Sequence, residues 1–273
     1  MKKICLTTAL NFIFCMVIAQ QPSQESKVKF GIKGGLNAST VAVSLSDGES
    51  GAYVDYNSDY MYRTGLNFGM LVEVPVTKIF SFQPELLFSF KGMRNESHLT
   101  ISLPQTSGYG PFKLRGVSHF TLYYLEIPLY VKAGVRVGGY GKLTLGLGPY
   151  LAYGVGGKMK FRVIEGDSYG YESGEKNIFT DGELKIYADE RSRLSYTSIA
   201  IHNREPYFRH PIKRFDAGLS AIVGYEFNTG VFATIGYEWG MMNTMKNPDN
   251  SWEGEVSGTM YNRTASIVVG YRF

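Results

Sequence analysis

Residues 215–240, FDAGLSAIVGYEFNTGVFATIGYEWG, hold two runs of strict apolar–polar alternation separated by Asn228, Thr229 and Gly230. Phe215, Leu219, Val223, Tyr225 and Phe227 take one parity, against Asp216, Gly218, Ser220, Gly224 and Glu226 on the other. Beyond the short connection, Val231, Ile235, Tyr237 and Trp239 oppose Thr234, Gly236, Glu238 and Gly240. Successive side chains of an extended chain point to opposite faces, so period two predicts antiparallel strands with one greasy face and one face of glycine, hydroxyl and charge.

The same signal recurs outward from this stretch. Before it lie runs centred on Phe30–Leu36, Leu66–Val74, Phe80–Phe90, Tyr123–Val131 and Leu143–Val155, and after it Ala265–Phe273 closes the chain, giving eight segments. No position of the apolar parity carries a charge, although 19% of the residues are charged. The polar parity carries Lys29, Lys33, Arg63, Lys91, Lys132 and Arg272 against Glu73, Glu85, Glu126, Asp216, Glu226 and Glu238, six of each sign.

Long connections are read at 38–61, 92–119, 158–213 and 241–261, and short ones at 75–79, 133–142 and 228–230. Consecutive antiparallel strands put alternate connections at opposite ends, so the long loops share one rim and the short turns the other.

Alternation does not say which face points inward. A soluble barrel around a small ligand would have to hold Phe68, Phe80, Phe82, Phe88, Phe90, Phe215, Phe227, Trp239 and Phe273 in a bore that just fits ordinary side chains. Facing lipid, they need no such space. With hydrocarbon outside, every backbone group must pair within the sheet, which only a closed barrel achieves. The expected fold is therefore all-β: an eight-stranded, antiparallel, up-and-down transmembrane β-barrel with short periplasmic turns and long extracellular loops.

Composition is consistent with this. The 273 residues include 32 Gly, 20 Tyr and 17 Phe; glycine is well above its usual share of about 7%. The formal charge of +4 is too balanced to point to nucleic acid as a partner. Both cysteines, Cys5 and Cys15, fall within MKKICLTTALNFIFCMVIAQ, whose basic start, apolar run and Ala19 read as a secretory signal peptide over 1–19. Acylation on Cys15 is disfavoured because Phe14 stands where a lipoprotein signal needs a small residue. Residues 20–27 then form a short periplasmic segment, and 28–273 the barrel, with no cysteine for a disulfide.

Inside a narrow barrel, Lys33, Arg63, Glu73, Glu85, Lys91, Glu126, Lys132, Asp216, Glu226, Glu238 and Arg272 are expected to form an interior charge network, with Glu73, Glu85 and Glu126 paired to Lys33, Lys132, Arg63 and Arg272. The repeats GYEF at 224–227, GYEW at 236–239 and GYRF at 270–273 put Tyr225, Phe227, Tyr271 and Phe273 at the short-turn interface and Tyr237 and Trp239 at the other. Pro84, Pro128 and Pro149 each remove a ladder donor and predict bulges or irregular pairing nearby.

Chemistry is sparse. His98, His119, His202 and His210 lack metal-site spacing, and Asp181, Glu183, Asp189 and Glu190 do not have the spacing of a calcium loop. No metal, cofactor or catalytic residue is expected, and a Ser118–His119 pair would need an acid and an oxyanion hole.

Five stretches, KFGIKGGLN at 29–37, YLEIPLYVK at 124–132, GLGPYLAYGVGGK at 146–158, RFDAGLSAIVGYEF at 214–227 and NRTASIVVGYRF at 262–273, resemble the PorT-like outer-membrane β-barrels of Bacteroidetes-type Gram-negative bacteria. The resemblance implies a place in the cell outer membrane among lipid and lipopolysaccharide, and insertion by the barrel-assembly machinery through the C-terminal strand. It implies little about activity.

The expected role is structural or binding, with a protein or glycan ligand at the extracellular loops. The alternatives are a component of a protein-secretion or transport assembly, a narrow pore for small solutes, and a rim-sited hydrolase. Whether 158–213 adds strands above the membrane is left open by the sequence.

Overall fold

The computed structural model describes residues 27–45, 53–102, 112–166, 173–177, 185–187, 212–245 and 258–273. The expected signal peptide over 1–19, the acidic residues at 181–190, His202 and His210 lie outside them, as does most of the 20–27 segment.

The described residues form ten strands: β1 (Lys29–Leu45), β2 (Tyr53–Pro75), β3 (Phe80–Ser102), β4 (Phe112–Val137), β5 (Gly141–Gly166), β6 (Ser173–Asn177), β7 (Lys185–Tyr187), β8 (Phe215–Phe227), β9 (Val231–Gly240) and β10 (Gly258–Arg272). Eight of them close a ring, β1-β2-β3-β4-β5-β8-β9-β10 and back to β1, every neighbour antiparallel. The last residue joins the closure, as Phe273 N donates to Phe30 O at 2.9 Å. β6 and β7 stand outside the ring and extend the sheet from the upper part of β5, so the described part of 158–213 does add strands.

Going round the ring from Leu219 leads to Phe30 in one direction and Thr40 in the other, a stagger of ten residues on β1. Eight strands with this stagger tilt about 40° from the axis and put the backbone about 8 Å from it, using usual strand rise and spacing. After side chains are added, that radius leaves a packed interior.

The alternating parity sorts as the hydrophobic effect in lipid demands. Ile32, Leu66, Met70, Val131, Leu147, Ile235 and Ile267 all point away from the ring. Asn37, Glu73, Glu85, Lys91, Glu126, Lys132, Asp216 and Arg272 are buried within it.

Two corrections concern the connections, and at the prolines the expected irregularity takes the form of missing rungs. Much of what alternation left as long loops is strand, because β2, β3, β4 and β5 continue well past the apolar belt; there the outer face meets water, and the greasy periodicity that marks a strand disappears. Two short turns contract, to residues 76–79 and 138–140, and the third stands at 228–230 as expected. Bulges lie away from the prolines, between Tyr62 and Asn67 on β2 and on β5 opposite Tyr123/Tyr124 and Arg115/Gly116. At the prolines the ladders only lose rungs, after Pro84 and after Pro128, while Pro149 stays in register with Leu219.

At the second bulge Tyr123 faces Gly156 and Tyr124 faces Gly154, so Val155 is the extra residue on β5. One extra residue reverses facing. Below it Tyr150 and Ala152 point inward, and above it Met159 does.

Two turn glycines have positive φ, Gly138 at 67° and Gly230 at 90°. A Cβ on Gly230 would lie 2.4 Å from Arg272 O, whereas around Gly138 there is open space. Gly230→Ala is expected to cost about 1–3 kcal/mol, and Gly138→Asn much less, since Asn tolerates the left-handed region. Urea midpoints of the two variants in detergent check the difference.

Candidate functional site: the barrel lumen

The inward parity stacks side chains in levels from the short-turn rim upward. At the lowest level Glu73 accepts from Ser81 Oγ at 2.9 Å and pairs with Arg272 Nε at 3.0 Å, Lys142 Nζ at 3.4 Å and Lys132 Nζ at 3.5 Å. Glu226 pairs with Arg272 Nη1, with Lys142 at 3.2 Å and with Lys29 at 3.8 Å. Gln83 Oε1 accepts from Lys132 at 2.8 Å and from Arg272 Nη2 at 3.0 Å. The guanidinium of Arg272 lies 4.4 Å over the Phe232 ring, a cation–π contact on a residue of the polar parity.

One level higher Lys33 pairs with Glu85, and Tyr130 OH shares a 2.7 Å hydrogen bond with Ser220 Oγ. Above that, Lys91 pairs with Glu126 and, at 2.7 Å, with Glu238. Its ammonium sits 5.2 Å from the Tyr150 ring and 5.8 Å from the Tyr124 ring. Asp216 Oδ2 accepts from Tyr150 OH at 3.0 Å and from Asn262 Nδ2 at 2.8 Å.

Still higher the lumen turns apolar. Val41, Met93, Phe120, Leu122, Met159, Ile212 and Met260 pack into one buried cluster, with Tyr60, Val43 and Met245 against it. Two segments fold over this level. Ile212 bridges Met245, Lys213 N donates to Thr244 O at 2.7 Å, and the Thr244 hydroxyl donates to Met260 O at 2.9 Å. Asn243 Oδ1 takes the backbone N–H groups of Met245 at 3.0 Å and Met260 at 2.9 Å, which fixes the strap.

Ten of the eleven interior residues expected from sequence thus meet inside the barrel. Arg63 is the exception. Its Nη1 donates to Phe120 O at 3.0 Å and lies beside Gly92, the residue between lumen-facing Lys91 and Met93. Arg63 lies at the β2–β3 irregularity, where its guanidinium is taken by the Phe120 carbonyl, and it pairs with none of Glu73, Glu85 and Glu126. The two signs also do not cancel level by level. Lys91 faces Glu126, Glu238 and the hydrogen-bonded Asp216 in the upper polar level, while cations outnumber acids at the mouth.

Sequence reasoning missed Lys142, which lies just before the fifth alternating run; its even parity, shared with Thr144 and Gly146, is the signal that marks it. It missed Phe232 because an aromatic on the polar parity looks like noise until Arg272 is placed over it. The apolar strap had no periodic signal.

The aromatic repeats lie where the turns place them. Tyr225 and Phe227 contact edge-to-face at 4.9 Å where β8 meets the 228–230 turn, and Tyr271 pairs with Val231 at the same rim, next to Phe273. Tyr237 and Trp239 meet edge-to-face at 4.5 Å at the opposite end of β9.

For acid–base chemistry the outer rim offers little. Ser118 and His119 are neighbours on β4, so their side chains leave opposite faces. Partial burial, with the cations Arg94, Arg63 and Arg162 nearby, holds the His119 imidazole below its ordinary pKa of 6.5. No group of three or more metal-binding side chains occurs among the described residues.

Among solved structures the chain resembles the outer membrane protein OprG from Pseudomonas aeruginosa, with 12% identity and a TM-score of 0.39 over 91% of this chain and 97% of that one. It also resembles Neisserial surface protein A, at 11% identity and 0.38 over 90% and 99%. Ail, the attachment invasion locus protein of Yersinia pestis, aligns at 14% and 0.32 over 90% and 99%. No curated protein matches the sequence. Residues 18–246 match the outer membrane protein beta-barrel domain, and with a closed eight-stranded ring and a lipid-facing apolar belt the chain belongs to that family of outer-membrane barrels.

Proposed function

We propose that this protein is a non-enzymatic outer-membrane scaffold with a structural or binding role, which presents its extracellular segments on a rigid, plugged barrel. The observation that carries this reading is the lumen: three levels of ion pairs and hydrogen bonds, roofed by an apolar cluster and its strap, fill a bore about 8 Å in backbone radius. Such an interior disfavours a solute pore. The extended walls of β2 to β5 lift the extracellular connections above the membrane, and β6 with β7 adds a further sheet edge there. Backbone edges and loops on a rigid support suit recognition of a protein or glycan.

The finer assignments belong to the same proposal. The chain is read as PorT-like, exported by a signal cleaved after Ala19 and assembled through the C-terminal strand ending in Phe273. Lipopolysaccharide surrounds its upper belt. A part in a secretion assembly is the second use of the same surface.

The test replaces residues 167–211 with a short Gly/Ser linker. The narrower cut is needed because β4 pairs with β5 as far as Gly166; removing 158–213 would strip the ring itself. The variant is expected to insert and keep heat-modifiable migration on unboiled gels, yet lose any partner captured by crosslinking wild-type cells. Failure to insert, or capture of the same partners, refutes the separation of scaffold from binding surface. Steady single-channel current from the wild-type barrel in a planar bilayer would favour the pore.

A further inference from the structure

A cavity of about 130 Å³ opens at the short-turn mouth, lined by Lys27, Lys29, Lys132 and Lys142 together with Glu73, Ser81, Thr77 and Thr144. Its wall continues through Pro75, Ile79 and Phe80 to the outside of the barrel, where the Ile79 and Phe80 side chains are exposed in the apolar belt. The cavity therefore joins the lower lumen to the membrane interface across the β2–β3 turn.

Charge at this mouth is unbalanced. Glu73 and Glu226 face Lys29, Lys132, Lys142 and Arg272, and Lys27 adds a further cation with no acidic partner among the described residues. Lys29 reaches Glu226 only at 3.8 Å with its side chain half exposed. The deeper cations Lys132 and Arg272 are committed to Glu73, Glu226 and Gln83. Lys27 is open to an incoming anion, and the part-exposed Lys29 and Lys142, held to carboxylates at 3.2–3.8 Å, keep N–H groups to offer it.

Two of the three hydroxyls lining the cavity donate elsewhere, which leaves the ammonium groups as its main donors. Ser81 gives its proton to Glu73 and Thr144 gives its own to Gly224 O at 3.2 Å, while Thr77 Oγ1 accepts from the N–H groups of Ile79 and Phe80. A surplus of ammonium groups around a small opening concentrates anions there. Lysine binds phosphate as a point charge. An anion that sits beside exposed Ile79 and Phe80 at headgroup depth has the character of a phosphate, which can carry acyl chains along the belt or arrive free in solution.

We infer that the short-turn mouth of this barrel is a phosphate-binding site, formed by Lys27, Lys29 and Lys142 around the cavity between the β2–β3 turn and β5. The bound group is a phosphate monoester, diester or free phosphate; its source is a phospholipid headgroup or the periplasmic solution.

The test uses the full chain in dodecylmaltoside micelles, a detergent without phosphate. Inorganic phosphate is titrated by calorimetry, and phosphatidylglycerol binding is read by native mass spectrometry against a neutral diacylglycerol of the same chains. Wild type is expected to bind at least one phosphate-bearing probe, more weakly as salt is raised. Lys27→Gln/Lys29→Gln, which removes the 3.8 Å Lys29–Glu226 contact but keeps the pairs of Lys132, Lys142 and Arg272 with Glu73 and Glu226, is expected to weaken that binding about tenfold, equivalent to about 1.4 kcal/mol.

Binding of phosphatidylglycerol without inorganic phosphate assigns the site to lipid headgroups, and the reverse assigns it to free phosphate. If wild type binds neither probe, if diacylglycerol binds as well as phosphatidylglycerol, or if the variant matches wild type, the inference is overturned. Unboiled-gel migration reports that the variant barrel is folded. Should it not be, Lys27→Gln alone, outside the ring, carries the same comparison with a smaller expected loss.

Discussion

Lys91→Met is expected to cost the barrel about 3–5 kcal/mol, the range for removing one partner of a buried ion pair. Lys91 is the one cation touching Glu126 and Glu238 among the described residues, and the hydrogen-bonded carboxylate of Asp216 lies in the same level. Without the ammonium, carboxyl groups remain in a lumen roofed by Phe120, Leu122 and Met159, with no solvent to screen them. With a urea slope of about 2 kcal/mol/M, the midpoint in detergent should fall by about 2 M.

The control is the triple variant Lys91→Met/Glu126→Gln/Glu238→Gln, which removes the stranded charges along with the cation. It should recover most of the loss, because the cost comes from uncompensated charge and less from missing contacts. A single variant within about 1 kcal/mol of wild type would mean that water reaches this level and that the plug is not dry.

Leu147→Arg tests the other face. Leu147 points to lipid within the apolar run Leu143–Val155 of β5, with 58% of its surface exposed, and its neighbours across the ladders, Val131 and Ala221, offer a guanidinium no carboxylate. The expected cost is about 2–4 kcal/mol for an arginine near the bilayer midplane. Val231→Arg, at the start of β9 beside the 228–230 turn, should cost about 0–1 kcal/mol, because the side chain reaches headgroups and water. Reversible folding into phosphatidylcholine vesicles measures both. Equal costs at the two positions would remove the depth dependence and with it the assignment of this face to hydrocarbon.

The interior network was legible where alternation was unbroken. Glu85, Lys91, Glu126, Lys132, Asp216, Glu226, Glu238 and Arg272 lie on uninterrupted runs, so parity alone sends them inward. Arg63 shares that odd parity with Asn67, but the β2–β3 ladder is interrupted between Tyr62 and Asn67, and there its guanidinium goes to the Phe120 carbonyl instead of a lumen carboxylate. A bulge has no required composition here, and nothing in YRTGLN announces the extra residue. Pairing partners were equally hidden. Lys91 joins Glu238 across 147 positions of sequence, a contact set by the stagger of ten residues around the ring.

The upper lumen shows the same limit from the apolar side. Ile212 and Met245 belong to stretches without period two, and their burial depends on the strap that Asn243 and Thr244 tie to Met260. Strand ends above the membrane were read as loops for a related reason: with water on the outer face and mixed packing inside, neither parity has to be apolar.

What the amino-acid sequence by itself determined is the two-faced strand, its repetition eight times, and the side that meets lipid, because lipid and a narrow bore each impose a local choice at every second residue. What only the tertiary structure decided is the stagger, the bulges, the choice of ion-pair partners and the roof over the lumen. These depend on which rungs of different strands come level, and such long-range registers follow from closing the ring and leave no period in the chain.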